Sequence, residues 1–240
     1  MEKNGKAEFD MRTPLPSLFI LTVASAVAPG GASAQGNPAD STTLADALIP
    51  EMKRVFADTP GMIDHTRTVL GHALDIHEQE GGNLTVVRAS AILHDIGIPR
   101  AREVHGSSAG PYQEIEGPPI AREILTRHRF PPDQIDHICG IVANHHSAED
   151  PRIVTTVEFK ILWDADWLVN FPGRYRNANA QEKAAAIEEI FKTRRGKQLA
   201  LEMFLGQGGV SSAGTRSDPT RLRQTGASNR LRSRSWNPKR

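Results

Sequence analysis

Between about residues 43 and 205, apolar side chains recur every three or four positions, and no alternating apolar–polar run exceeds four residues. That period predicts helices and no strands. The first helix is expected from Leu44 to Phe56, capped by Ser41 or Thr42 and broken by Asp58-Thr59-Pro60-Gly61. A second runs from Ile63 to Glu80 and ends at Gly81-Gly82. A third, from Leu84 to Asp95, stops at Gly97 and Pro99. The stretch 98–115, IPRAREVHGSSAGPYQEI, holds no sustained period and is predicted as a loop over one face. Pro118 and Pro119 then start a helix reaching Arg127, since proline is tolerated in a first turn. Further helices are expected over Asp133 to His145, Thr156 to Asn170, Ala180 to Lys192 and Lys197 to Leu205. The fold expected is all-α, one helical bundle domain of about seven helices (43–205) with disordered termini.

The termini differ from the bundle in composition. MRTPLPSLFILTVASAVAPGGASAQG has a basic start, an apolar run from Leu15 to Ala28 and a small-residue site at Ala32-Ser33-Ala34. That is the layout of a secretory signal peptide over residues 1–34, with cleavage before Gln35 and translation from Met1 or Met11. The apolar run is too short and too interrupted, by Pro16 and Pro29, to span a membrane. The expected location is therefore periplasmic or secreted, with the cytoplasm as the alternative. Residues 35–42 read as a linker. The formal net charge of +1 hides an asymmetry, because residues 206–240 carry eight basic side chains and one acid. That Gly/Ser/Arg-rich tail reads as disordered and solvated; with Trp236 as its one aromatic it is a poor candidate for nucleic-acid or lipid binding. The single cysteine, Cys139, excludes an intramolecular disulfide, and its neighbours Ile138, Ile141 and Val142 predict a small buried side chain.

Candidate chemistry begins at AILHDIGIPRA, where His94 and Asp95 follow Ala91, Ile92 and Leu93 without a spacer. Burying either unpaired would cost several kcal/mol. His65 lies in the first turn of the second helix, with Val69, His72 and Ile76 on its face. His145 ends a helix on a face with Ile138 and Ile141. In VEFKILWDADWLVNF, Asp164 has Lys160 one turn earlier and reads as a surface carboxylate, whereas Asp166 shares a side with Phe159, Leu162, Trp163 and Val169 and reads as interior. His72 is expected in the core or behind the site, and His77, His105, His128 and His137 at the surface.

His65, then the HD pair at 94–95 within LHDIG, then the last aspartate of DADWL resemble the H…HD…D signature of the HD-domain superfamily of metal-dependent phosphohydrolases. EGPPIAREIL and IVANHH are also similar to segments of that family, and the likeness spans about residues 60 to 205. The resemblance implies that His65, His94, Asp95 and Asp166 hold one divalent metal ion, of Mn, Fe, Co, Ni, Zn or Mg, as suits a mixed nitrogen and oxygen set. It also implies that Asp95 and His145 act in catalysis. Members with two metals have further histidines between the HD pair and the last aspartate. Here Gln113 or Glu114 stands at the first such position and His145 or His146 at the later one, and a GYP motif is absent, so a mononuclear hydrolase is expected. The implied partner is a small phosphorylated substrate, a phosphomonoester or nucleotide, with Arg100, Arg102, Glu114 and His146 as candidate contacts and GSSAG as a source of backbone amides. The alternatives are an HD-fold hydratase or lyase acting on a non-phosphorylated molecule, and a metal-binding module without catalysis.

Overall fold

The computed structural model describes residues 44–206, and all regular structure among them is helical. The leader, the linker and, apart from Gly206, the basic tail lie outside the described residues. A helical turn at residues 44–46 leads into α1 (Leu48–Val55). The chain continues through α2 (Pro60–Glu80), α3 (Leu84–Leu93), α4 (Ile98–His105), α5 (Gly110–Arg127) and α6 (Pro132–Val142). A short α7 (Pro151–Val154) precedes α8 (Val157–Arg174), α9 (Ala180–Ile190) and α10 (Arg194–Leu205).

The centre of the bundle is α3. Its sequence, LTVVRASAIL, is apolar on nearly every side, and a helix of that kind must be enclosed. It packs against α1, α2, α6 and α8. Its one charged residue, Arg88, pairs with Asp46. Asn83 caps the helix by accepting the Val86 amide, and its own amide donates to the Glu158 carboxylate at 2.8 Å. The start of α3 is thereby tied to the start of α8. The most extensive helix pair is α2 with α8, and Ile76, Phe159 and Phe171 are fully buried beside Met52, Phe56, Ile92 and Ile96. At the C-terminal end of α3 the HD pair turns directly into α4. There α5 crosses so closely that a Cβ on Gly97 would lie 2.6 Å from the Gly117 amide nitrogen and 2.8 Å from the Gln113 carbonyl oxygen. Only glycine at 97 permits that backbone contact.

Several expectations are corrected here. The stretch 98–115 is not a loop: it holds α4, ended by Gly106 in the left-handed conformation, and the first turn of α5. Pro99 occupies the first turn of α4 and starts that helix; it does not stop the preceding one. The helix expected to begin at Pro118 begins at Gly110 and runs through both prolines, forfeiting their two amide bonds while packing against α4 and α6. Asp164, read as a surface partner of Lys160, has no exposure. Its carboxylate accepts the Lys192 amide at 2.8 Å and both the amide and the hydroxyl of Thr193 at 2.7 Å, anchoring the entry of α10. Burial pushes its pKa up to about 6, against the pull of those three donors. Among the side chains expected at the surface, His105, His128 and His137 are half-buried against Glu116, Glu51 and Thr156. Cys139 is buried, and burial pushes its thiol up to about 11.

Two predictions follow from these anchors. A Cβ on Gly196 would sit 2.3 Å from the Asp164 Oδ2, so Gly196→Ala is expected to lower stability by about 1–3 kcal/mol, read from denaturant midpoints. Glu51, bonded by Arg54, His128 and Arg127, has its carboxyl lowered from 4.5 to about 2, chiefly by Arg54 and against the opposing effect of burial. A depressed carboxylate pKa stabilises the fold above the unfolded-state value and ceases to do so as pH falls through the folded one. Thermal melts of Glu51→Gln against the wild type are therefore expected to differ near pH 6 and to converge between pH 4.5 and 2.

Candidate metal centre

Four helices deliver the polar cluster. His65 comes from the first turns of α2, His94 and Asp95 from the end of α3, His145 and His146 from the turn after α6, and Asp166 from the middle of α8. The His65 and His94 Nε2 atoms face each other at 3.2 Å. Asp95 Oδ2 lies 3.3 Å from the first and 3.2 Å from the second. Asp166 Oδ1 lies 3.2 Å and 3.6 Å from the same two nitrogens. The other oxygen of Asp95, Oδ1, faces away toward His145 Nε2 at 3.6 Å. Asp95 thus joins two groups of donors: His65, His94 and Asp166 on one side, His145 and His146 on the other. Within each group of three (His65, His94, Asp166; Asp95, His145, His146) the donor atoms lie within 4.8 Å of one another.

The donor chemistry fits a divalent cation. A ring nitrogen beside a carbonyl oxygen must be the donor, and His94 Nδ1 meets the Ala91 carbonyl at 3.0 Å while His145 Nδ1 meets that of Val142 at 2.7 Å. In the neutral rings, the Nε2 atoms that point into the cluster then carry lone pairs, which is the form that ligates metals. His145 Nε2 and His146 Nε2 are buried with no hydrogen-bond partner, an arrangement that is costly unless something else satisfies them. Ligand atoms bound about 2.1 Å from one ion stand about 3.0–3.4 Å apart, close to the separations among His65, His94, Asp95 and Asp166.

Electrostatics agree with that reading. Burial alone would lower the pKa of His94, but the carboxylates of Asp95 and Asp166 reverse this and hold it well above its ordinary value. Burial would raise both carboxylates; His94 and His145 instead hold Asp95, and His65 and His94 hold Asp166, well below the usual range. His146 is lowered to about 3, first by burial and then by His145. The cluster therefore demands positive charge, and one imidazole proton supplies only part of it.

The remaining candidates lie elsewhere. Arg100 and Arg102 are exposed on α4, and Arg100 pairs with Glu103 at 2.8 Å. Glu114 Oε1 accepts the amides of His146 and Ser147, both at 2.8 Å, so it fixes the turn that carries the two histidines. Gln113 is buried, donates to the Ser108 carbonyl at 2.7 Å and leaves its own carbonyl oxygen without a partner. His72 is half-buried and makes no hydrogen bond to the cluster. A surface groove of about 480 Å³ between α6 and α7, lined by Asp136, His137, Asp150 and Arg152 among others, contains none of these ligands. One residue went unnoticed in the sequence: Asn170 donates its Nδ2 to Asp166 Oδ1 at 2.9 Å. Its signal was the spacing of four from Asp166, which places both on one helix face.

Residues 62–171, which hold every member of this cluster, match the family described as the HD domain. No curated protein matches the chain. Among solved structures, the chain is similar to a predicted HD superfamily hydrolase from an uncultured Thermotogales bacterium, with 23% identity, 67% of this chain and 84% of that chain covered, and a TM-score of 0.48. The segment in which H, HD and D come together within an all-α bundle is thus the one that matches the HD domain.

Proposed function

We propose that this protein is an exported, metal-dependent phosphohydrolase that cleaves small phosphomonoesters, nucleotides included. The observation that carries the reading is the group of four donors, His65, His94, Asp95 and Asp166, in which the two imidazole nitrogens lie 3.2 Å apart and each carboxylate lies 3.2–3.6 Å from both. A bound divalent ion would polarise a phosphoryl oxygen and lower the pKa of water. Asp95 links that side of the site to His145 through its second oxygen. His145 Nε2, buried and without a partner, accepts the proton of the attacking water and returns it to the ester oxygen as the P–O bond breaks. The Val142 carbonyl keeps His145 in the tautomer this requires, and Glu114 fixes the turn beside it.

One observation favours a second reading. Among the described residues no arginine or lysine is ion-paired with Asp95 or Asp166, and Arg100 and Arg102 are exposed on α4. A site without fixed cationic side chains also suits a hydratase or lyase acting on an uncharged molecule. Release of inorganic phosphate separates the two chemistries.

The full chain, purified without chelator, is expected to carry about one divalent ion and to lose it in His94→Ala, measured by elemental analysis. With that ion restored, release of phosphate from nucleoside monophosphates or p-nitrophenyl phosphate is expected, and His145→Ala should lower kcat by about 10²–10⁴-fold while the ion is retained. A wild-type protein that takes up no ion after reconstitution with Mn, Fe, Ni or Zn sinks the enzyme reading. A metal-loaded protein inert toward phosphomonoesters leaves the hydratase or lyase.

A further inference from the structure

We propose that Asn170 is a positioning residue that holds Asp166 in its ligating orientation, an inference that rests on the reading of the cluster as a cation site. Asp166 comes from the middle of α8, and the oxygen it turns toward His65 and His94 is Oδ1. Asn170, one turn further along α8, donates Nδ2–H to that same oxygen at 2.9 Å. Among the described residues this is the only hydrogen bond from anything but a histidine to either carboxylate of the cluster.

The terminal torsion of an aspartate is soft, so its carboxylate swings widely unless something holds it. Asp95 has a histidine at each of its oxygens. Asp166 meets both of its histidines through Oδ1, and Asn170 adds a restraint there. Stability of the fold does not account for the asparagine. It is exposed near the end of α8, outside the hydrophobic core, and asparagine is a poor helix former where lysine, glutamate or glutamine would serve better. Its donor therefore acts on the carboxylate. With Oδ1 held toward the histidines, the orientation of Asp166 is set before a cation arrives. Partners of this kind affect metal affinity by about 10–100-fold, and an exposed donor belongs at the lower end.

The test is calorimetric titration of the full chain with Co²⁺, paired with its visible absorption spectrum and with thermal melts of the metal-free protein. Asn170→Ala is expected to bind Co²⁺ about tenfold more weakly, with an altered visible band, while its metal-free melt matches the wild type. Asn170→Asp keeps the shape but has no N–H to donate, and is expected to show the same altered band. Wild-type affinity and spectrum in both variants overturn the proposal and leave the cation site standing. So does an unaltered band with tighter binding in Asn170→Asp, which would make residue 170 a source of charge. A lowered metal-free melt in Asn170→Ala overturns it in favour of a structural role. Failure of the wild type to bind Co²⁺ overturns both the proposal and the reading beneath it.

Discussion

Two carboxylates buried against the same pair of imidazoles set the terms for the rest of this molecule. Asp95 and Asp166 are each 7% exposed, and each presents an oxygen to His65 and His94. Removing an ionised carboxylate from water costs several kcal/mol even after relaxation, and two side by side repel each other. Positive charge must therefore sit at that point, as a proton on His94 or as a cation with more charge to offer. The need explains the shape of the bundle around it. Close packing of α3 among α1, α2, α6 and α8 encloses the HD pair, and the glycine crossing of α4's entry with α5 lets the chain turn immediately after Asp95.

The neighbouring Asp164 shows what a buried carboxylate looks like when the fold itself satisfies it. It lies two residues from Asp166, about 200° around α8, and is fully buried. Its oxygens accept three hydrogen bonds from Lys192 and Thr193, and Gly196 is pressed against it. Asp166 has one amide donor and otherwise only histidine nitrogens. The difference lies in the donors, since the two share a residue type and a helix. One carboxylate is finished by backbone and hydroxyl groups; the other is left with ligands for neighbours.

This contrast marks the limit of what was legible in the sequence. The all-α class was legible because the apolar period of α2, α8 and α9 is sustained, and the H, HD and D residues stood out because charge so seldom interrupts runs such as AILHDIG. Asp164 misled because a lysine four residues earlier is the ordinary mark of a solvated face, while its true partners lie 28 and 29 residues away in sequence. The helix α4 was missed because eight residues, half of them polar, carry too little period, and Pro99 reads as a stop when its place is a first turn. Glu114 was read as a candidate substrate contact, but its bonding role had no signal: it serves backbone amides 32 and 33 residues on, and no side-chain pattern reports such a partner.

The placement of the cationic side chains bears on the chemistry. Arg100 is held by Glu103 and lies 3.9 Å from Glu116, so its charge is largely answered on the surface of α4. No described arginine or lysine pairs with the cluster, so on the phosphohydrolase reading a phosphoryl group there would meet its counter-charge chiefly in the ion. On the same reading the ion would serve substrate binding as well as activation of water. The protein's own share is then orientation: the Val142 carbonyl fixes His145, Glu114 holds the amides of His146 and Ser147 beside it, the Ala91 carbonyl fixes His94, and Asn170 restrains Asp166. A site built this way gains its selectivity from where the donors point, because the helices supply direction while the charge comes from what they bind.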